Sequence, residues 1–459
     1  MKINAQLDYS TILRNEGRPV HLSVNLQAGS AGEEQRRPMA FCAILDRSGS
    51  MAGLPLQNAR HACETVIRNL RAGDEFALVA FDDHAEVVIP MQKISDKQKA
   101  LAAVRRIEDR GSTNLTAGWM LGRDELTKTD GATNRRILLL SDGLLNQGIV
   151  EPDEVRRIVC DGLERSKIRT STLGFGDGYD EKLLESLATA SGGNFYDANS
   201  PDKLPAIFES ELDGLQKIAA QNVRLRVGKL TFCENWVAFA SYHSVALPDG
   251  RIEISLGDLT SDESATVVFL LDVLPLPVFP DGSPAAALDG EELLDLEILW
   301  DDLTGKDIKS CAQKQTIRVL GTQDPADVKV NEDVIPGIAT QCAGMAVEEA
   351  VKAVESGRID QAVAGLKAAL AKLKALGNEA RAADGLAAVE ALIHRIEQQG
   401  GLDSRSSKMA QYRSSHMRKM KSHAVWTLDE EAPSYAGKKI TPPQAPPQPP
   451  AKNDDDKKQ

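Results

Sequence analysis

An apolar run, Phe41-Cys42-Ala43-Ile44-Leu45, ends abruptly in Asp46-Arg47-Ser48-Gly49-Ser50. The run is rich enough in apolar residues to be a buried central strand, and its carboxyl end carries one carboxylate and two hydroxyls within a single tight turn. Open α/β sheets bind ligands at that edge. Three hard oxygen donors converging on one point suit a small divalent cation, above all Mg²⁺, which prefers oxygen ligands in octahedral geometry.

Asp-x-Ser-x-Ser alone is a weak signal, because the same residues make an ordinary helix cap. Two further stretches strengthen it. Gly111-Ser112-Thr113-Asn114-Leu115 is a polar loop ahead of a helical pattern over Leu115 to Leu126. Ile137-Leu138-Leu139-Leu140-Ser141-Asp142-Gly143 is a second buried strand running into an acidic turn. Between them the chain alternates: Phe76 to Phe81 and Ala85 to Ile89 read as strands, and Ala59, Cys63, Val66, Ile67 and Leu70 recur at helical spacing.

On these residues the chain resembles a von Willebrand factor type A (VWA) domain. The family's metal-ion-dependent adhesion site is an Asp-x-Ser-x-Ser turn, a loop threonine and an aspartate after the fourth strand. These fall here on Asp46, Ser48 and Ser50, then Thr113, then Asp142. The resemblance continues through Thr172-Leu173-Gly174-Phe175-Gly176 and Gly192-Gly193-Asn194-Phe195-Tyr196 to a last helix near Asp202 to Leu215, covering about residues 38–220. It implies a doubly wound, mostly parallel, Rossmann-like α/β sheet. It implies a bound Mg²⁺, or Mn²⁺ or Ca²⁺, touched by the hydroxyls of Ser48, Ser50 and Thr113, with Asp46 and Asp142 acting largely through water. Neutral ligands leave the cation's charge poorly compensated, so its remaining position favours an anionic oxygen such as a Glu or Asp of a partner protein.

An enzyme is not expected. Catalysis at an open metal position needs a placed acid or base. His61 lies within a helical pattern and His84 in a hairpin-like turn, neither in a catalytic arrangement. Gly174-x-Gly176-x-Gly178 misplaces the third glycine of a dinucleotide fingerprint, and there is no nucleophile elbow or zinc-spaced cysteine set. A net charge of −13 argues against general nucleic-acid binding. Met1 to Leu7 has no signal-peptide core, and no stretch approaches the roughly 20 apolar residues of a membrane span. Six scattered cysteines read as reduced thiols, so a cytoplasmic location is expected.

Outside the VWA-like segment, Val20, Leu22, Val24 and Leu26 alternate with polar residues as in a half-buried strand. Similar strands are expected at Val223 to Val227, Arg251 to Ile254, Thr266 to Leu271, Leu294 to Trp300 and Thr316 to Leu320. Strands of residues 1–37 would be marginal alone. They are expected to complete an antiparallel β-sandwich with residues 221–321, the α/β unit of residues 38–220 being an insertion. Residues 326–400 read as a small α-helical domain of three alanine-rich helices, with a stop at Gly377-Asn378. In the last segment, 401–459, the cations from Arg405 to Lys421 are expected to belong to a solvated, flexible linker. A disordered tail is expected from about 428, through the proline-rich stretch Pro442 to Pro450.

Taken together, the residues and the resemblance describe a metal-dependent protein–protein interaction module, an adaptor or scaffold that captures an acidic side chain. The overall order is similar to bacterial relatives of the inter-alpha-trypsin-inhibitor heavy chains and calcium-activated chloride channel regulators. The alternative is a VWA subunit of an AAA+ ATPase of the MoxR or chelatase kind.

Overall fold

The computed structural model describes residues 1–421 except 31–37, 130–133, 143, 177, 199, 279–289, 306 and 377–378. The turn expected at Gly377-Asn378 and the tail from about 428 lie outside the described residues. The chain opens with three strands, β1 (Lys2–Leu7), β2 (Thr11–Leu13) and β3 (Arg18–Gln27). In β3 the alternation expected at Val20, Leu22, Val24 and Leu26 is found, all four being buried.

An α/β unit follows: β4 (Met39–Asp46), α1 (Leu54–Asn69), β5 (Glu75–Phe81), β6 (Ala85–Lys93), α2 (Lys97–Arg105), α3 (Leu115–Leu126), β7 (Asn134–Ser141), α4 (Pro152–Ser166), β8 (Ile168–Phe175), α5 (Glu181–Ser191), β9 (Phe195–Ala198) and α6 (Leu204–Gln216). Its sheet has the order β6-β5-β4-β7-β8-β9. All neighbours are parallel except the antiparallel β5–β6 pair. All eight residues of β4 are buried, because helices cover both faces. Phe41, Ala43 and Leu45 join a core with α1 and α6, while Ala40, Cys42 and Ile44 join one with α3, α4 and α5. Close approach of α3 to β4 needs Gly122, where a Cβ would lie 2.5 Å from Ile44 Cδ1.

The strands after this unit are β10 (Ile218–Lys229), β11 (Cys233–Ala238), β12 (His243–Ala246), β13 (Ile252–Thr260), β14 (Ser264–Val273), β15 (Glu291–Asp302) and β16 (Lys309–Thr322). Two further sheets result, β1-β3-β14-β11 and β12-β13-β10-β15-β16-β2. β3 pairs antiparallel with β14 from Gln27↔Ser264 to Arg18↔Val273, and β2 joins the end of β16 in parallel. Leu22, Val24, Val267 and Phe269 of one sheet and Leu225, Ile254, Leu296 and Ile298 of the other share one apolar core. At the seam with the α/β unit, Asp258 of β13 meets the guanidinium of Arg169 (β8) at 2.9 Å and that of Arg136 (β7) at 3.4 Å, all three buried.

Four helices close the described chain: α7 (Ile335–Glu355), α8 (Ile359–Lys374), α9 (Ala383–Gln399) and α10 (Ser404–Lys419). The fourth corrects the expectation of a solvated basic linker. Asp403 caps α10 by accepting from the Ser406 N–H at 2.6 Å. Arg405 then clamps Asp197 of β9 with two bonds of 2.9 and 2.7 Å. Lys408 donates to the Tyr179 carbonyl at 2.5 Å, and the buried Tyr412 ring meets Phe195 edge-on. Farther along, Ser414 donates to the Gly344 carbonyl of α7 at 2.8 Å. Arg418 donates to the Phe239 carbonyl at 2.9 Å and pairs with Glu348, and Lys421 donates to the Asp258 carbonyl at 2.9 Å. These cations are therefore spent on fixed acceptors of three different parts of the fold, which their spacing could not disclose.

Arg405→Ala would leave the buried Asp197 carboxylate with the Tyr179 hydroxyl as its remaining bonded partner of this cluster. The expected loss is about 2 kcal/mol in denaturant unfolding, the size of a stranded, partly satisfied charge. A loss within measurement error would mean that the clamp contributes nothing.

Candidate metal centre

Strand β4 is followed in space by β5 on one side and by β7 on the other. The loops leaving β4 and β7 therefore diverge to opposite faces, opening a crevice at the carboxyl edge. Asp46 ends β4, and Asp142 directly follows β7 at Ser141. Topology alone thus brings together two acids 96 positions apart in sequence.

A chain of hydrogen bonds joins four of the five expected side chains. Asp46 is fully buried; its Oδ1 accepts from the Ser48 N–H at 2.9 Å and its Oδ2 from the Ser141 hydroxyl at 2.7 Å. The Ser48 and Ser50 hydroxyls are 3.1 Å apart, and Ser50 donates to Asp142 Oδ1 at 2.8 Å. Thr113 reaches the group through backbone: its N–H donates to Asn146 Oδ1 at 2.9 Å and its carbonyl accepts from the Asn146 N–H at 3.4 Å. Its loop is also tied to the first turn, Arg110 N–H to the Arg47 carbonyl at 2.8 Å and Gly49 N–H to the Gly111 carbonyl at 3.2 Å. Asn114 caps α3 just beyond, accepting from the Ala117 N–H at 3.1 Å.

Ser141 and Asn146 were not singled out from the sequence. Ser141 had a faint signal, being the last residue of a strand beside an expected ligand. Asn146 had none, since its role depends on the second loop lying against the third. Arg47, inside the motif, is engaged elsewhere: it is buried and bonds Asp82 at 2.7 Å and Glu86 at 2.9 Å. Burial raises the Asp82 carboxyl, but bonds from Arg110, the His84 N–H and Arg47 outweigh it and hold Asp82 below the usual carboxylate range.

Unlike Asp82, both acids at the crevice are raised. Burial pushes the Asp46 carboxyl up to about 6, against the bonds from Ser48 and Ser141 and with help from the neighbouring Asp142. Burial raises Asp142 as well, opposed by its bond from Ser50. Among the described residues neither acid forms an ion pair. Two desolvated carboxylates beside three hydroxyl-bearing residues make an all-oxygen donor set with a charge deficit, which a hard divalent cation fits.

Residues 42–210 match the von Willebrand factor type A domain. The chain is 27% identical over 351 residues to an uncharacterized protein of Synechocystis sp., a match spanning 73% of this chain and 80% of that one. It is 28% identical over 169 residues to the inter-alpha-trypsin inhibitor heavy chain H3 of Rattus norvegicus, 34% of this chain but only 18% of the heavy chain. Similarity to the heavy chains is thus found, over about a third of this chain. Among solved structures, a von Willebrand factor type A protein from Catenulispora acidiphila superposes with a TM-score of 0.67 at 17% identity, covering 91% of this chain and 96% of the other. At that identity the likeness establishes the fold.

Proposed function

From the VWA domain at residues 42–210, we propose that this protein is a metal-dependent interaction module whose cation captures an acidic side chain of a partner protein. VWA domains are commonly modules of this kind. The proposed holders are Asp46, Ser48, Ser50, Thr113 and Asp142, with Mg²⁺ as the first candidate and Mn²⁺ or Ca²⁺ as substitutes. The carrying observation is that two buried acids, without an ion pair among the described residues, are linked through Ser48 and Ser50 at the mouth of the crevice. When bound, the cation supplies a concentrated positive charge with room for one external oxygen. Ser48 and Ser50 add no charge to it, so the attraction for an outside carboxylate is retained. We read the protein as non-enzymatic, because the groups bonded to Asp46 and Asp142 are hydroxyls and backbone N–H rather than a base.

The remaining parts are read as scaffold. Residues 1–37 and 221–321 would form a β-sandwich into which 38–220 is inserted, and 326–400 a helical domain. The pairing of β3 with β14 and the core shared by two sheets support this division. Among the described residues no helix is long and apolar enough to cross a membrane.

A comparative pull-down of wild type against Asp46→Ala/Ser48→Ala, with and without Mg²⁺, tests the function. Partners that appear only with Mg²⁺ and only with wild type are expected. An identical partner set in all samples would remove this binding mode, and recovery of an AAA+ ATPase would favour the alternative of a remodelling-machine subunit. Proton competition is a second check. Because burial holds Asp46 near 6 in the metal-free protein, Mg²⁺ affinity measured by calorimetry is expected to be flat above about pH 7. Below about pH 6 it should fall roughly tenfold per unit. Affinity unchanged down to pH 5 would separate Asp46 from the metal.

A further inference from the structure

We propose that this edge recognises an acidic residue set between large aliphatic side chains, with Leu54 and Leu144 as the apolar seats; the inference rests on the metal edge being a docking point for an external carboxylate. The three most exposed large hydrophobic side chains among the described residues all follow β4 or β7 at this edge: Leu54 at 66%, Leu144 at 59% and Val150 at 47%. Leu54 opens α1 four residues after Ser50, and Leu144 follows Asp142 by two. The Ser50–Asp142 bond of 2.8 Å joins the two loops that carry them. Neither leucine is needed by the fold, which leaves both in water.

Charge is absent from the two stretches that carry these leucines, whereas the third loop of the site carries Arg110, which pairs with Asp82 and Glu86. No charged residue occurs in the twelve positions from Ser48 to Ala59 or in the eight from Gly143 to Val150. In a chain that is 26% charged, about five would be expected among twenty. Loss of charge with gain of exposed aliphatic surface is the composition of an interface centre rather than of ordinary surface. This rim also selects the occupant. A charged flank on the incoming segment would lose water and meet no opposite charge on these two loops, whereas an aliphatic flank removes two apolar surfaces from water together. The occupant is therefore an exposed segment of a partner protein with Glu or Asp between residues such as Leu, Ile or Val.

Three blocked pentapeptides, Gly-Leu-Glu-Leu-Gly, Gly-Ser-Glu-Ser-Gly and Gly-Asp-Glu-Asp-Gly, test this by titration against the full chain in Mg²⁺, with the Mg²⁺-dependent rise in melting temperature recorded alongside. The leucine-flanked peptide is expected to bind at least tenfold tighter than the other two. Leu54→Ser/Leu144→Ser should abolish that preference while leaving the Mg²⁺-dependent rise unchanged. Equal affinities, tighter binding of the acid-rich peptide, a preference that survives in the variant, or no binding of any peptide while Mg²⁺ still raises the melting temperature would each overturn the inference and leave the metal site intact. Absence of a Mg²⁺ response in wild type would instead remove the site, and the inference with it.

Discussion

Asp258→Ala is expected to destabilise the protein by about 3–5 kcal/mol, the range for deleting one partner of a buried ionic cluster. Asp258 Oδ1 lies 2.9 Å from Arg169 and also accepts from the Asn222 N–H at 3.1 Å, while Oδ2 lies 3.4 Å from Arg136. Both guanidiniums are buried, and their Nε atoms have no hydrogen-bond partner. Burial already lowers Arg169, with Asp258 the main opposing influence. Removing the carboxylate would leave two close cations sharing Asn222, Ser171 and Glu211. Asp258→Asn retains an acceptor and should cost less. Denaturant unfolding of the two variants checks both the loss and the order. A loss below about 1 kcal/mol for alanine would mean that the seam is held by apolar contacts alone.

Asp46→Asn is expected to act in the opposite direction on the metal-free protein, raising its melting temperature near neutral pH while abolishing stabilisation by Mg²⁺. The sign follows from burial. The Asp46 carboxyl stands at about 6 in the fold against 3.8 for the free group. A group raised on folding contributes stability that is fully present below the lower value and lost as pH climbs through the higher one. Its ionisation near neutral pH therefore costs the metal-free fold about 3 kcal/mol, at 1.36 kcal/mol per pH unit of displacement. Asparagine keeps the shape and the bond from the Ser48 N–H, and its amide can donate to the Ser141 hydroxyl. The variant should melt several degrees above chelator-treated wild type at pH 7, and the gap should close toward pH 4. Added Mg²⁺ should raise the melting temperature of wild type only, since the stabilisation is the binding free energy itself. A variant less stable than metal-free wild type at pH 7, or one that still responds to Mg²⁺, would contradict this account. On the proposed reading, the acids that would attract a cation destabilise the fold until it arrives.

The local features of the site were readable because each arises within a few residues. The run ending at Asp46 is a strand, and the expected helix over Leu115 to Leu126 is found with those bounds. Period and capping act over one or two turns, so neighbouring residues carry the information. The support around the site was not readable. Ser141 matters because the end of β7 places its hydroxyl against Asp46, and Asn146 because one loop lies over another. α10 hid for a related reason. Its inward residues include Ser406, Ser407, Ser414 and Ser415, all buried although polar, and the Ser414 hydroxyl finds its acceptor on α7. Nothing in the stretch itself distinguishes such a helix from a solvated basic linker.

By itself the sequence determined the strands and helix nearest the site, β4, β7 and α3, and that Asp46, Ser48 and Ser50 share one turn, since periodicity and turn chemistry are short-range. Only the tertiary structure decided that Gln27 would lie beside Ser264, that Asp142 would meet Ser50, and that Arg405 would close on Asp197. Those pairings join residues tens to hundreds of positions apart. Their energy depends on which surfaces remain to be covered once the local elements have formed, and no window of neighbouring residues contains that information.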